Sequence, residues 1–120
     1  MGTILVVDDE PAIRTLLAEL LRDEGYAVLA AADGLLAQEV LERLVPDLVL
    51  TDMMMPRLDG LGLLRWMHER VDLRAVPVVL MSAVAHRDAD AAGAIHFVAK
   101  PFNLVTLLTV VASALGRPSS

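Results

Sequence analysis

Short apolar runs alternate with longer segments of helical period from one end of the chain to the other. Thr3 to Val7, Ala27 to Ala31, Leu48 to Thr51, Val78 to Met81 and His96 to Ala99 are aliphatic and nearly free of polar positions. A strand with one wet face alternates apolar and polar residues, so these runs read as strands covered on both faces. After the first run, Ile13, Leu16, Leu17, Leu20 and Leu21 recur at i, i+3, i+4, i+7 and i+8. That spacing gathers them on one face of a helix that stops at Gly25. Gly34 opens a second helix, Gly60 a third, and Leu104 to Leu115 form a last, fifth one. Strand-helix alternation in one sheet requires right-handed crossovers. The pattern therefore predicts an α/β fold of five β/α units in one layered domain, without internal repeats.

The fifth helix departs from a simple amphipathic stripe because it carries no charged residue. Leu104, Leu107, Leu108 and Val111 can face the sheet, whereas Val105 and Val110 fall elsewhere on the wheel. A homodimer through helix five, a partner or an output domain would cover the remainder. A small tolerated apolar patch is the plainer alternative.

Composition narrows the class. At 120 residues the chain suits a single domain, and 56% hydrophobic residues supply one shared core. No apolar run reaches the roughly 18 residues that span a bilayer, and the N-terminus lacks the basic flank of a signal peptide, so a soluble, cytoplasmic protein is expected. The absence of cysteine excludes disulfides, thiolate metal sites and thiol nucleophiles. His68, His86 and His96 lack metal-ligand spacing. A net charge of -6 repels a phosphate backbone, which argues against direct nucleic-acid binding by this segment.

The chemistry gathers at strand ends. Asp8 and Asp9 follow the first strand, Asp52 the third, Ser82 the fourth and Lys100 the fifth. In a parallel sheet these carboxyl ends share one edge, where open α/β sheets form their ligand crevice. Singly, each has a plainer explanation. Asp9, Glu10 and Pro11 make a good helix start, Asp52 suits a turn, and Ser82 can cap a following helix. Lys100 is the single lysine among ten basic residues and supplies a compact point charge where the other nine supply a planar fork. Together the residues resist the plain readings. Three carboxylates brought within about 4 Å repel by about 4 kcal/mol per pair at an effective dielectric of about 20. Lys100 can neutralise one, and a divalent cation the others. Hard oxygen ligands in a site open to water favour Mg2+ over zinc.

At this point the chain resembles the receiver domains of two-component response regulators. The resemblance rests on Val7-Asp8-Asp9-Glu10, Leu50-Thr51-Asp52-Met53-Met54-Met55-Pro56 with Asp59-Gly60, Met81-Ser82-Ala83 and Lys100-Pro101-Phe102, and it runs through essentially the whole chain. It implies a three-layer, flavodoxin-like α/β/α sandwich whose five parallel strands follow the order 2-1-3-4-5. The implied domain covers residues 1–116, and 117–120 form a tail or the start of a linker. It further implies that Asp52 accepts a phosphoryl group from a sensor histidine kinase or histidine phosphotransfer protein. Asp8, Asp9, Asp52 and the backbone carbonyl of Met54 would serve the Mg2+, with Asp8 acting mainly through water. Lys100, Ser82 and the amide of Ala83 would contact the phosphoryl group. Ser82 and Phe97 would form the switch, resting on packing alone because Phe97 has no hydroxyl. The Lys100-Pro101 bond would be cis. Such a module is a phosphoacceptor with at most slow self-dephosphorylation, not an enzyme in its own right, and it acts on a downstream effector or output domain.

Two features depart from the family. The stretch between Ser82 and Lys100 is shorter than in most receivers by about one helical turn, which predicts a shortened fourth helix. Residues Ala85 to Ala92 also offer no large apolar side chain to pack it. A receiver-like interaction module acting without phosphorylation is the alternative function. An Asp-nucleophile phosphohydrolase would want a second acid two residues after the nucleophile, where this chain has Met54. Met53 to Met55 and Trp66 read as packing residues.

Overall fold

The computed structural model describes residues 2–82 and 96–116. Five parallel strands, β1 (Thr3–Val7), β2 (Ala27–Ala31), β3 (Leu48–Asp52), β4 (Val78–Ser82) and β5 (His96–Ala99), form one sheet in the order β2-β1-β3-β4-β5. Helices α1 (Pro11–Asp23), α2 (Gly34–Leu41), α3 (Gly60–His68) and a C-terminal helix (Leu104–Ala114), the expected fifth, cover it. The expected fourth helix and the 117–120 tail lie outside the described residues.

Alternation along β1 divides the core into two layers. Leu5 and Val7 pack with Leu41, Leu63 and Met67 beneath α2 and α3, while Ile4 and Val6 pack with Leu17, Leu21, Leu107 and Val111 beneath α1 and the C-terminal helix. Both faces are thus buried along β1, β3 and β4, as the apolar runs predict, whereas the edge strand β2 leaves Ala27, Leu29 and Ala30 exposed. Each fully buried aliphatic side chain contributes about 1.5–3 kcal/mol. Truncating one at the sheet centre, such as Leu50→Ala, should cost about 2–5 kcal/mol.

Helix ends follow their chemistry. Pro11 opens α1, and its last turn closes with Gly25 N–H donating to the Arg22 carbonyl (2.9 Å) and Tyr26 N–H to that of Leu21 (3.1 Å). That pattern needs a left-handed residue, and Gly25 supplies it at φ 96°. The side chains of Asp33, Asp59 and Asn103 cap α2, α3 and the C-terminal helix. The N-cap of α1 is Glu10, with no side-chain cap bond, so Asp9 is not spent on starting that helix.

Some helical-face expectations shift. The buried face of α1 centres on Leu17, Ala18 and Leu21, which turns Leu16 outward to 43% exposure. In the C-terminal helix, Leu107 and Val111 are buried and Val110 also reaches the core, whereas Leu104 lies exposed in the first turn. Val105 is the outlier that the wheel predicts, at 72% exposure. Met53 and Met55 pack on the core, but Met54 projects outward. Trp66 packs on the same layer, with the Arg70 guanidinium 4.8 Å from its ring centre. No described helix is long and apolar enough to cross a membrane.

Candidate functional site

Strand order decides which side chains meet. β1 and β3 are neighbours, with Val7 opposite Thr51, so Asp8 leaves the sheet beside Asp52, the last residue of β3. Ser82 ends β4 opposite Ala99 of β5, and Lys100 N–H donates to the Ser82 carbonyl at 2.8 Å, extending that ladder by one step. From there the Lys100 Nζ reaches back over β4 to lie 3.3 Å from Asp52 Oδ2 and 3.3 Å from Asp8 Oδ2. Residues drawn from four strand ends therefore converge. The Lys100-Pro101 bond is cis.

Asp8 is fully buried, Asp52 and Ser82 nearly so, while Asp9 is exposed at the rim. Carboxylate oxygens of Asp8, Asp9 and Asp52 lie within 4.8 Å of one another. Asp8 is held twice: its Oδ1 accepts from Glu10 N–H at 2.9 Å, and its backbone carbonyl accepts from Arg14 at 2.8 Å. Burial raises the Asp52 pKa above the ordinary carboxylate value; Lys100 pulls against that rise, and the Asp8 charge adds to it. Burial opposes the Lys100 charge, yet Asp52 and then Asp8 outweigh it and raise its pKa. One ammonium among three carboxylates leaves two formal negative charges uncompensated.

The donors fit a hard divalent cation. All are carboxylate oxygens, one sits at the water-facing rim, and their deficit equals the charge of Mg2+. Asp8, Asp9, Asp52, Ser82 and Lys100 thus come to one sheet edge, as their positions after apolar runs predict. Phe97 lies partly buried on β5 against the α2/α3 layer. Ala83 lies outside the described residues. Arg14 holds the Asp8 backbone from one turn into α1, a role that no periodicity or spacing in the sequence marks.

An open parallel sheet with an acid cluster and a single lysine at its carboxyl edge defines a doubly wound phosphate- or metal-handling module. The family model of the response regulator receiver domain matches residues 4–112, and the chain belongs to that family. Over 119 residues it is 39% identical to the transcriptional regulatory protein PdtaR of Mycobacterium tuberculosis, spanning 95% of this chain and 57% of that protein. Over 106 residues it is 43% identical to a protein-glutamate methylesterase/protein-glutamine glutaminase of Xanthomonas oryzae pv. oryzae, spanning 82% of this chain but 29% of that protein. The chain thus spans about half or less of the length of these curated relatives. Among solved structures, it resembles the receiver domain of a signal transduction histidine kinase from Syntrophus aciditrophicus, with TM-score 0.90 and 32% identity over 100% of this chain and 96% of the other. The receiver domain of sensor histidine kinase PA1611 from Pseudomonas aeruginosa, crystallised with a magnesium ion in its active-site cleft, matches with TM-score 0.88 and 33% identity, covering 96% of this chain and 98% of the other.

Proposed function

We propose that Asp52 is the phosphoacceptor of this receiver domain and that its modification switches binding to a partner. The observation that carries this reading is the position of Asp52: nearly buried, beside Asp8 and Asp9, and 3.3 Å from the Lys100 ammonium. A desolvated carboxylate is a stronger nucleophile than a hydrated one, in keeping with the burial that raises its pKa. Its oxygen attacks phosphorus, the phosphorus-nitrogen bond of a donor phosphohistidine breaks, and the imidazole departs with the electron pair. Asp52 is left as an acyl phosphate.

Phosphoryl transfer asks chiefly for positioning and charge neutralisation. Asp8, Asp9, Asp52 and the Met54 carbonyl are the groups that would hold Mg2+, which when bound supplies positive charge to the transferring oxygens. Lys100, anchored through its own amide to the Ser82 carbonyl, would supply a second positive charge beside Asp52. Ser82, nearly buried at the end of β4, would offer its hydroxyl to the new phosphoryl oxygen, and the amide of Ala83, outside the described residues, would be a second donor. Drawing Ser82 inward frees space toward β5, where Phe97 can repack; this couples the chemistry to a surface.

The donor is a sensor histidine kinase or a histidine phosphotransfer protein. An apolar groove of about 590 Å3, lined by Glu10, Ile13, Leu16, Lys100, Pro101, Phe102 and Leu104, offers a protein partner a seat that reaches Lys100. A downstream effector, an output domain or a second copy meeting the exposed Leu104 and Val105 would read the switched state. With Mg2+ and a small-molecule phosphodonor, the intact mass should rise by one phosphoryl group, and Asp52→Asn or chelation should abolish the rise. No uptake by the unmodified chain would sink the reading.

A further inference from the structure

We propose that Arg57 and Asp33 act as one latch that holds the β3–α3 loop in the shape the metal site requires, which makes them positioning residues for Mg2+. The inference rests on the reading of Asp8, Asp9, Asp52 and the Met54 carbonyl as the Mg2+ site.

Residues 53–59 join β3 to α3 and carry Met54. Both ends of this loop are fastened by backbone: Met53 N–H donates to the Met81 carbonyl at 2.8 Å, and Gly60 N–H to that of Met53 at 3.0 Å. Its middle is held by side chains from elsewhere. Arg57 donates to and ion-pairs with Asp33 Oδ2 at the start of α2, 24 residues away in sequence. Asp33 is 1% exposed, and its other oxygen accepts from Leu36 N–H at 2.9 Å, so its carboxylate cannot swing to follow a moving partner. The Leu36 amide, and with it the Arg57 charge, outweighs burial and lowers the Asp33 pKa, so the anion persists wherever the protein is folded near neutral pH. The loop backbone also rests directly on α2: a Cβ on Gly34 would stand 2.3 Å from the Leu58 carbonyl oxygen.

Arg57 itself has φ 69°, a left-handed backbone that a glycine would adopt without cost. Arginine there offers something glycine lacks, and the charge-assisted pair with Asp33 is what it offers. Arg57 lies three positions beyond Met54 on a tight loop, so freeing it loosens the carbonyl proposed to face the cation. Outer groups that orient metal ligands in this way affect affinity without touching the metal.

The test is calorimetric Mg2+ titration of the intact chain and of Arg57→Gly, Asp33→Asn, the double variant and Arg57→Lys, with thermal melting in chelator alongside. Arg57→Gly relieves the left-handed backbone, and Asp33→Asn keeps a side chain able to cap α2, so both variants are built to fold. Each should weaken Mg2+ binding by about tenfold, the double variant should be no weaker than either single one, and Arg57→Lys should recover part of the loss. Phosphorylation should slow at limiting Mg2+ and recover at saturating Mg2+. For Arg57→Gly, affinity should fall without a matching fall in melting temperature, which a purely structural role would not produce. Unchanged Mg2+ affinity in both single variants, or additive losses in the double one, overturns the latch while leaving the metal site intact. Failure of the unmodified chain to bind Mg2+ overturns the metal-site reading and the latch with it.

Discussion

Asp33 and Asp52 are both nearly buried acids at the carboxyl edge of the sheet, each beside one cation, and their pKa values move in opposite directions. Asp33 accepts a backbone N–H from its own helix start and has Arg57 to itself, so its charge is satisfied in place. Asp52 shares Lys100 with Asp8 and has a second and third carboxylate within 4.8 Å. One acid is finished when the chain folds. The other is left wanting positive charge, and a group in that condition is poised for chemistry.

The contrast can be broken most severely by exchanging each acid for its amide. Asp52→Asn should lose phosphoryl uptake completely, whereas Asp33→Asn should retain it at saturating Mg2+; equal loss in both, read by intact mass, would erase the distinction. Next in size, Lys100→Ala should slow uptake by about 100-fold, the scale of one preorganised charge-stabilising group. Lys100→Arg should restore only part of that, because the planar fork cannot reproduce a compact ammonium. Single-turnover rates at fixed phosphodonor would show this.

Stability should split the two acids by sign. Asp33→Ala removes the cap of α2 and should cost about 1 kcal/mol in denaturant unfolding. Asp52→Asn in chelator should raise the melting temperature, because it deletes a charge that burial penalises. The smallest effect is in pH dependence. Asp33 has its folded pKa below 3.8, so the unfolded chain binds the proton first on acidification; its stabilisation is complete above that value and is lost as pH falls through the folded pKa. Asp52 has its folded pKa above 3.8, so the native state holds the proton longer, and stability falls as pH rises from 3.8 through the folded pKa. Asp33→Asn should flatten the acid limb of a stability profile, and Asp52→Asn should remove the decline above it.

The same contrast separates what the sequence reveals from what it conceals. Asp8, Asp9, Asp52, Ser82 and Lys100 are legible because each ends an apolar run, and parallel strands place all such ends on one edge. The sequence marks the start of α2 only through Gly34; Asp33 is read from it neither as the cap nor as the partner of Arg57. A pairing across 24 residues between two loops follows from neither periodicity nor spacing. Helix faces fall between these cases. Leu17 and Leu21 are read correctly, while Leu16 is misplaced because the i, i+3, i+4 rule draws a stripe wider than the one that α1 buries.

The central claim, that Asp52 and not a neighbouring acid carries the phosphoryl group, is tested most directly by reductive trapping. Borohydride cleaves an aspartyl phosphate at the acyl carbon and leaves homoserine, which peptide sequencing by mass spectrometry can place. After phosphorylation with Mg2+ and a small-molecule donor, homoserine should appear at position 52 and at neither Asp8 nor Asp9. Trapping at Asp8 or Asp9, or a phosphorylated chain with unmodified Asp52, would contradict the assignment.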